Sequence, residues 1–179
     1  MLIAQEKKKS NISEYILYMW HLEDTFRALQ FSEEKVWETL SSKFQTTDVQ
    51  KTEIHNWYKA LMEMLKKENK LQHGHLVYIE NILHELNQFH FTLMQEPTQV
   101  QYHQAFTNIK PYLINLHTNP EIGIHHPVYL ALDYLYSTLL LRIKEQKQLN
   151  QELVAKISSF LKELTLRYHQ YERGELTFE

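Results

Sequence analysis

The chain has no cysteine, and its 179 residues include only three glycines and four prolines. Without cysteine there is no disulfide framework, no thiol nucleophile and no Cys-ligated zinc or iron–sulfur site. Sheet-rich folds need Gly and Pro at their turns, so this scarcity argues against a β-sandwich or barrel. Gly74, Gly123 and Gly174 stand too far apart to form a Gly-rich phosphate loop. An excess of one charge is missing as well. Nineteen basic and 22 acidic side chains leave a net charge of -3, which gives no basis for a nucleic-acid partner.

Long apolar runs are also absent. The nearest, residues 15–20 and 139–141, fall far short of the roughly 18 residues of a membrane span. The start of the chain places Leu2 and Ile3 before Lys7, Lys8 and Lys9, the reverse of a secretory signal. The expectation is a cytoplasmic protein with neither a membrane nor a nucleic-acid partner.

What the sequence does contain is helical periodicity. Ile12, Ile16, Met19, Leu22 and Phe26 recur at the spacing of one helical face over residues 11–29. Ser32, followed by Glu33 and Glu34, opens a shorter helix over 33–44. Thr47 and Gln50 have the spacing of a capping box, ahead of Ile54, Trp57, Tyr58, Leu61 and Leu65. Gly74 marks a turn, and the fourth helix runs from about Leu76 to the residues before Pro97.

A second capping box, Thr98 with Gln101, opens the fifth helix, which Pro111 is expected to kink or break. A loop at 119–126 leads to Pro127 at a first helical position, and apolar residues continue to Ile143. Asn150 caps the last helix, which Gly174 closes. The sixth helix is apolar on two sides and is expected to be central and buried. These segments predict an all-α antiparallel bundle of six to seven helices in a single domain, 1–179. Residues 1–9 form an N-terminal arm and 175–179 a C-terminal tail.

Eleven histidines raise the question of a metal. A di-iron or di-manganese bundle needs Glu-x-x-His pairs, and a zincin needs His-Glu-x-x-His. Neither spacing occurs, so no metal ligand, cofactor or catalytic residue is assigned. Eleven tyrosines could line a pocket or sit at the rim of the core with their hydroxyls in water.

The most informative polar residues are Glu23, Arg27 and Arg142. Glu23 lies in the centre of the apolar face of the first helix, and Arg27 follows at the i,i+4 spacing that favours an ion pair. Arg142 interrupts the leucine run of the sixth helix. Burying an unpaired charge is expensive. A buried polar cluster of Glu23, Arg27 and Arg142 is therefore expected, structural rather than catalytic.

The opening residues Met1 to Lys9, the segment Asn11-Ile12 with Glu14-Tyr15-Ile16-Leu17-Tyr18-Met19-Trp20, and Glu23-Asp24 with Arg27 carry a resemblance. So do Gly74-His75-Leu76 and Leu140-Leu141-Arg142. Over its whole length the chain resembles a family of bacterial proteins, found mainly in Bacteroidetes and described as a domain of unknown function (DUF4924). The resemblance implies an all-helical cytoplasmic protein and brings no activity, cofactor or catalytic residue with it. The functional expectation is a non-enzymatic interaction or scaffold module with an unidentified partner, acting as a homodimer. The alternative is a small-molecule binder or enzyme with a Tyr/His-lined pocket near Glu23 and Arg142.

Overall fold

The computed structural model describes residues 2–115, 126–143 and 150–178. Eight α-helices lie within them: α1 (Leu2–Ser10), α2 (Ile12–Ala28), α3 (Glu33–Thr39), α4 (Asp48–Lys67), α5 (Val77–Gln95), α6 (Val100–Asn115), α7 (Pro127–Ile143) and α8 (Gln151–Glu172). A 3-10 turn occupies Ser41–Lys43, and the described residues contain no strand. The fold is all-α, as the periodicity predicts.

Four helices, α2, α3, α4 and α8, begin where a local side chain accepts from the free N–H groups of the first turn. The side chains of Asn11, Ser32 and Asn150 accept from the backbone of Glu14, Lys35 and Leu153. Thr47 and Gln50 form the predicted capping box at α4. Between α2 and α3, Gln30 and Phe31 both adopt φ of 56°, a left-handed pair that reverses the chain without glycine.

The helix count exceeds six to seven because residues 2–10, expected as an arm, form α1. Ala4 of this helix is buried, and Lys7 pairs with Glu14 of α2 at 3.1 Å. The helix expected over 33–44 is shorter, since α3 ends at Thr39 and the chain tightens into the 3-10 turn. Thr98 lies two residues ahead of the start of α6 and so outside the cap position. Pro111 does not break α6, which continues to Asn115. The carbonyl four residues earlier, which loses its donor, belongs to the exposed Thr107, where water can serve it. The loop predicted at 119–126 lies, apart from His126, outside the described residues.

The chain divides into two compact units, one up to Asn81 and one from Ile82, so the boundary falls inside α5. The first unit buries Ile16, Met19, Trp20 and Phe26 of α2 and Tyr58, Met62 and Leu65 of α4. Phe26 meets Tyr58 edge to face with ring centroids 5.7 Å apart.

The second unit packs α6, α7 and α8 with most of α5. Tyr102, Ile109, Val128, Leu132, Ile157 and Phe160 are buried in it. The expectation of a central α7 buried on both apolar sides holds only in part: Val128, Ala131, Leu132 and Tyr136 are buried, whereas Leu130 and Tyr134 are half-buried. Leu135 is half-buried, and Leu139, on the same stripe as Val128 and Leu132, is 42% exposed.

His90 is buried in the second unit. Its ring centroid lies 4.5 Å from Phe106 and 5.7 Å from Phe160, and Nδ1 lies 2.6 Å from the Tyr102 hydroxyl. This apolar setting disfavours the imidazolium and lowers the His90 pKa to about 4. In the unfolded chain the imidazole takes up its proton near ~6.5. Above that pH both states hold a neutral ring and the group contributes nothing to pH dependence. As pH falls from about 6.5 towards 4, only the unfolded state gains the proton, so stability declines by roughly 3 kcal/mol. Urea unfolding between these pH values should show that decline. Its loss in a His90→Gln variant would assign it to this residue, and an unchanged slope would assign it elsewhere.

Candidate functional site

Helix α5 lacks a local cap. Leu76 precedes its first residue, where a Ser, Thr, Asp or Asn would ordinarily accept from the free N–H groups. Two carboxylates from elsewhere in the first unit take that role. Glu23 of α2, fully buried, accepts from the Leu76 backbone N–H through Oε1 at 3.1 Å. Glu68, just past the end of α4, accepts from the Val77 N–H at 2.8 Å. Negative charge at this position also complements the positive end of the helix dipole.

The second Glu23 oxygen lies 2.6 Å from His75 Nδ1. An ionised carboxylate only accepts, so Nδ1 is the donor and a neutral ring keeps its lone pair on Nε2. Trp20 holds the imidazole from the side, stacked at 4.5 Å between centroids with the planes 15° apart. Both oxygens of a buried charge are thereby satisfied, which removes most of the cost of burying it.

One turn further along α2, Arg27 holds the same connection from its other end. Its guanidinium donates to the Lys70 carbonyl through Nη2 at 3.0 Å and also to the Gly74 carbonyl. Nη1 pairs with Asp24 at 2.8 Å. Gly74 has φ of 82°, a conformation that disfavours any residue with a Cβ. An added Cβ would come within 2.9 Å of the Lys70 side chain, which folds over the turn to pair with Glu80 at 2.9 Å.

Of the three residues expected to cluster, Glu23 and Arg27 serve the same connection without pairing with each other. Arg27 takes Asp24, at i,i+3, in place of Glu23. Arg142, expected as the counter-charge to Glu23, is exposed at the end of α7. An imidazole and a backbone amide satisfy the carboxylate, so no guanidinium is needed. Sequence reasoning missed His75 and Glu68. The signal that could have found them is the absence of any capping side chain between Gly74 and Val77.

The tyrosines divide: Tyr15, Tyr58, Tyr102 and Tyr136 are buried, whereas Tyr112 and Tyr171 are exposed. Tyr15 and Tyr78 share a hydroxyl hydrogen bond, as do Tyr18 and Tyr58. Burial pushes all four phenols up, so they remain protonated donors. Beside the first pair is a pocket of about 140 Å³, lined by Ala4, Gln5, Lys8, Tyr15, Trp57 and Tyr78.

The remaining described histidines are dispersed. His55 Nδ1 lies 3.2 Å from the Ser41 hydroxyl, and His103 Nε2 bonds the Leu93 carbonyl at 2.9 Å. His21, His73 and His84 are exposed. Among the described residues no group of three or more His, Cys, Asp or Glu side chains is arranged to hold a metal ion.

The fold and this cluster define an all-helical protein with a buried carboxylate at a connection between its helices. The chain belongs to the family described as a domain of unknown function (DUF4924), which matches residues 1–175. No curated protein and no solved structure matches the chain. No described helix is long and apolar enough to cross a membrane.

Two substitutions separate the parts of the Glu23 cluster. Glu23→Ala leaves the buried Leu76 N–H without an acceptor and should cost about 2–4 kcal/mol in urea unfolding. Glu23→Gln can retain both contacts only if its amide donates to His75 Nδ1. The neutral ring should then switch from the Nδ1–H to the Nε2–H tautomer in nitrogen-15 NMR spectra. An unchanged tautomer would show that Glu23 does not orient the imidazole.

Proposed function

We propose that this protein is a non-enzymatic helical interaction module that works as a homodimer. The observation that carries the reading is α7. Its seventeen residues include only four polar side chains other than tyrosine, Asp133, Ser137, Thr138 and Arg142. Its apolar stripe is covered at Val128 and Leu132 but open at Leu139, with Leu135, Leu140 and Leu141 half-buried. One exposed leucine with half-buried leucines around it favours association with another apolar surface. A net charge of only -3 opposes the approach of a second copy weakly.

We place the protein in the bacterial cytoplasm, in keeping with described helices none of which is long and apolar enough to cross a membrane. The near-balanced charge gives it no nucleic-acid partner. Light scattering should return twice the 21.7 kDa chain mass, and Leu139→Glu should return the single mass with helicity unchanged. A wild-type protein that stays monomeric at high micromolar concentration would contradict the reading.

A second reading, a small-molecule-binding protein, is favoured by one observation. The pocket beside the Tyr15–Tyr78 pair brings together three aromatic side chains, a lysine and a glutamine. Neither Glu23 nor Arg142 lines it.

A further inference from the structure

We infer that the pocket walled by α1 binds a small monocyclic aromatic carboxylate, an assignment that rests on the small-molecule reading. Three features of the first unit lead to this ligand class.

The first is shape. Tyr15 of α2, Trp57 of α4 and Tyr78 of α5 supply aromatic walls, and Ala4 of α1 contributes only a methyl group. Any larger residue at position 4 would occupy part of the pocket. The second is size. At about 140 Å³ the space is close to that of an engineered apolar cavity of ~150 Å³ known to admit benzene. The pocket is open to solvent, and its volume accommodates a six-membered ring.

The third is polarity. Among the described residues Lys8 is the only charged side chain in the lining, and Gln5 adds an amide. Lys7 is occupied by Glu14 at 3.1 Å, whereas Lys8 makes no ion pair among the described residues and remains exposed. Tyr15 and Tyr78 keep their protons, since burial raises both phenols. Their mutual bond uses one O–H and leaves the other as a donor. The lining therefore offers an ammonium, an amide N–H and a phenol O–H around an aromatic slot. A carboxylate on a flat ring matches that set, and an ammonium ligand would meet Lys8 in repulsion.

The test uses the full chain, labelled with nitrogen-15, titrated in turn with sodium benzoate, benzylamine and benzyl alcohol while the Trp57 indole N–H is followed. Benzoate should shift that resonance saturably, with a Kd on the order of 1 mM for so small a ligand. Lys8→Gln, at an exposed position, should weaken binding about 2- to 5-fold, the upper part of the range for one exposed charge pair. Ala4→Leu should abolish the shift, with helicity checked by circular dichroism.

If benzylamine or benzyl alcohol binds as tightly as benzoate, the carboxylate assignment is overturned while the pocket remains a ligand site. If none of the three moves Trp57, both the assignment and the small-molecule reading fall. Benzoate binding that is unchanged in both Ala4→Leu and Lys8→Gln would place the ligand elsewhere and overturn the inference.

Discussion

A single buried carboxylate holds the first unit to its geometry. Glu23 sits on the apolar face of α2 with both oxygens engaged, one by the Leu76 backbone N–H and one by the His75 imidazole. Leu76 immediately precedes α5, so the start of that helix is held by a side chain of α2. The constraint runs both ways. A charge cannot stay buried without its partners, and the buried Leu76 N–H just ahead of α5 cannot stay so without its acceptor. Arg27 adds a second hold on the same connection through the Lys70 and Gly74 carbonyls. Gly74, whose carbonyl is one of the two, has a positive φ of 82° that disfavours any residue with a Cβ.

The second unit handles its buried polar groups differently. His90 and Tyr102 bond to one another inside an aromatic setting, and Arg167 lies 5.6 Å from the Tyr102 ring centroid. Arg167 also donates to Gln99 at 2.7 Å and pairs with Glu163. The Gln99 side chain, just before α6, is thus committed to α8. Neither cluster presents the arrangement of nucleophile, base and oriented partner that covalent catalysis requires. Their common effect is to tie connections to helices.

The parts of this fold visible in the sequence are those governed by neighbours along the chain. Asn11, Ser32, Thr47 and Asn150 announce their helices because each accepts from an amide three residues on. The burial of Glu23 was legible too, since its position on the apolar face of α2 follows from helical geometry alone. Its partner was not. Sequence reasoning sought a full counter-charge and chose Arg142, whereas an imidazole and an amide 52 and 53 positions away were enough. Leu139 failed for a related reason. Apolar periodicity shows which face of α7 avoids water but not how far along the helix other elements extend to cover it. Local chemistry can be read in order along the chain, and long-range partners cannot.

The central claim is that Glu23 caps α5 from a distance, and the Leu76 amide reports on it directly. Leu76 N–H has no other acceptor among the described residues, and its residue is fully buried. Native-state hydrogen exchange should therefore find this amide protected nearly as well as the interior of α5, with that protection lost when Glu23 becomes alanine. A Leu76 amide that exchanges as fast as an exposed turn in the wild-type protein would contradict the account.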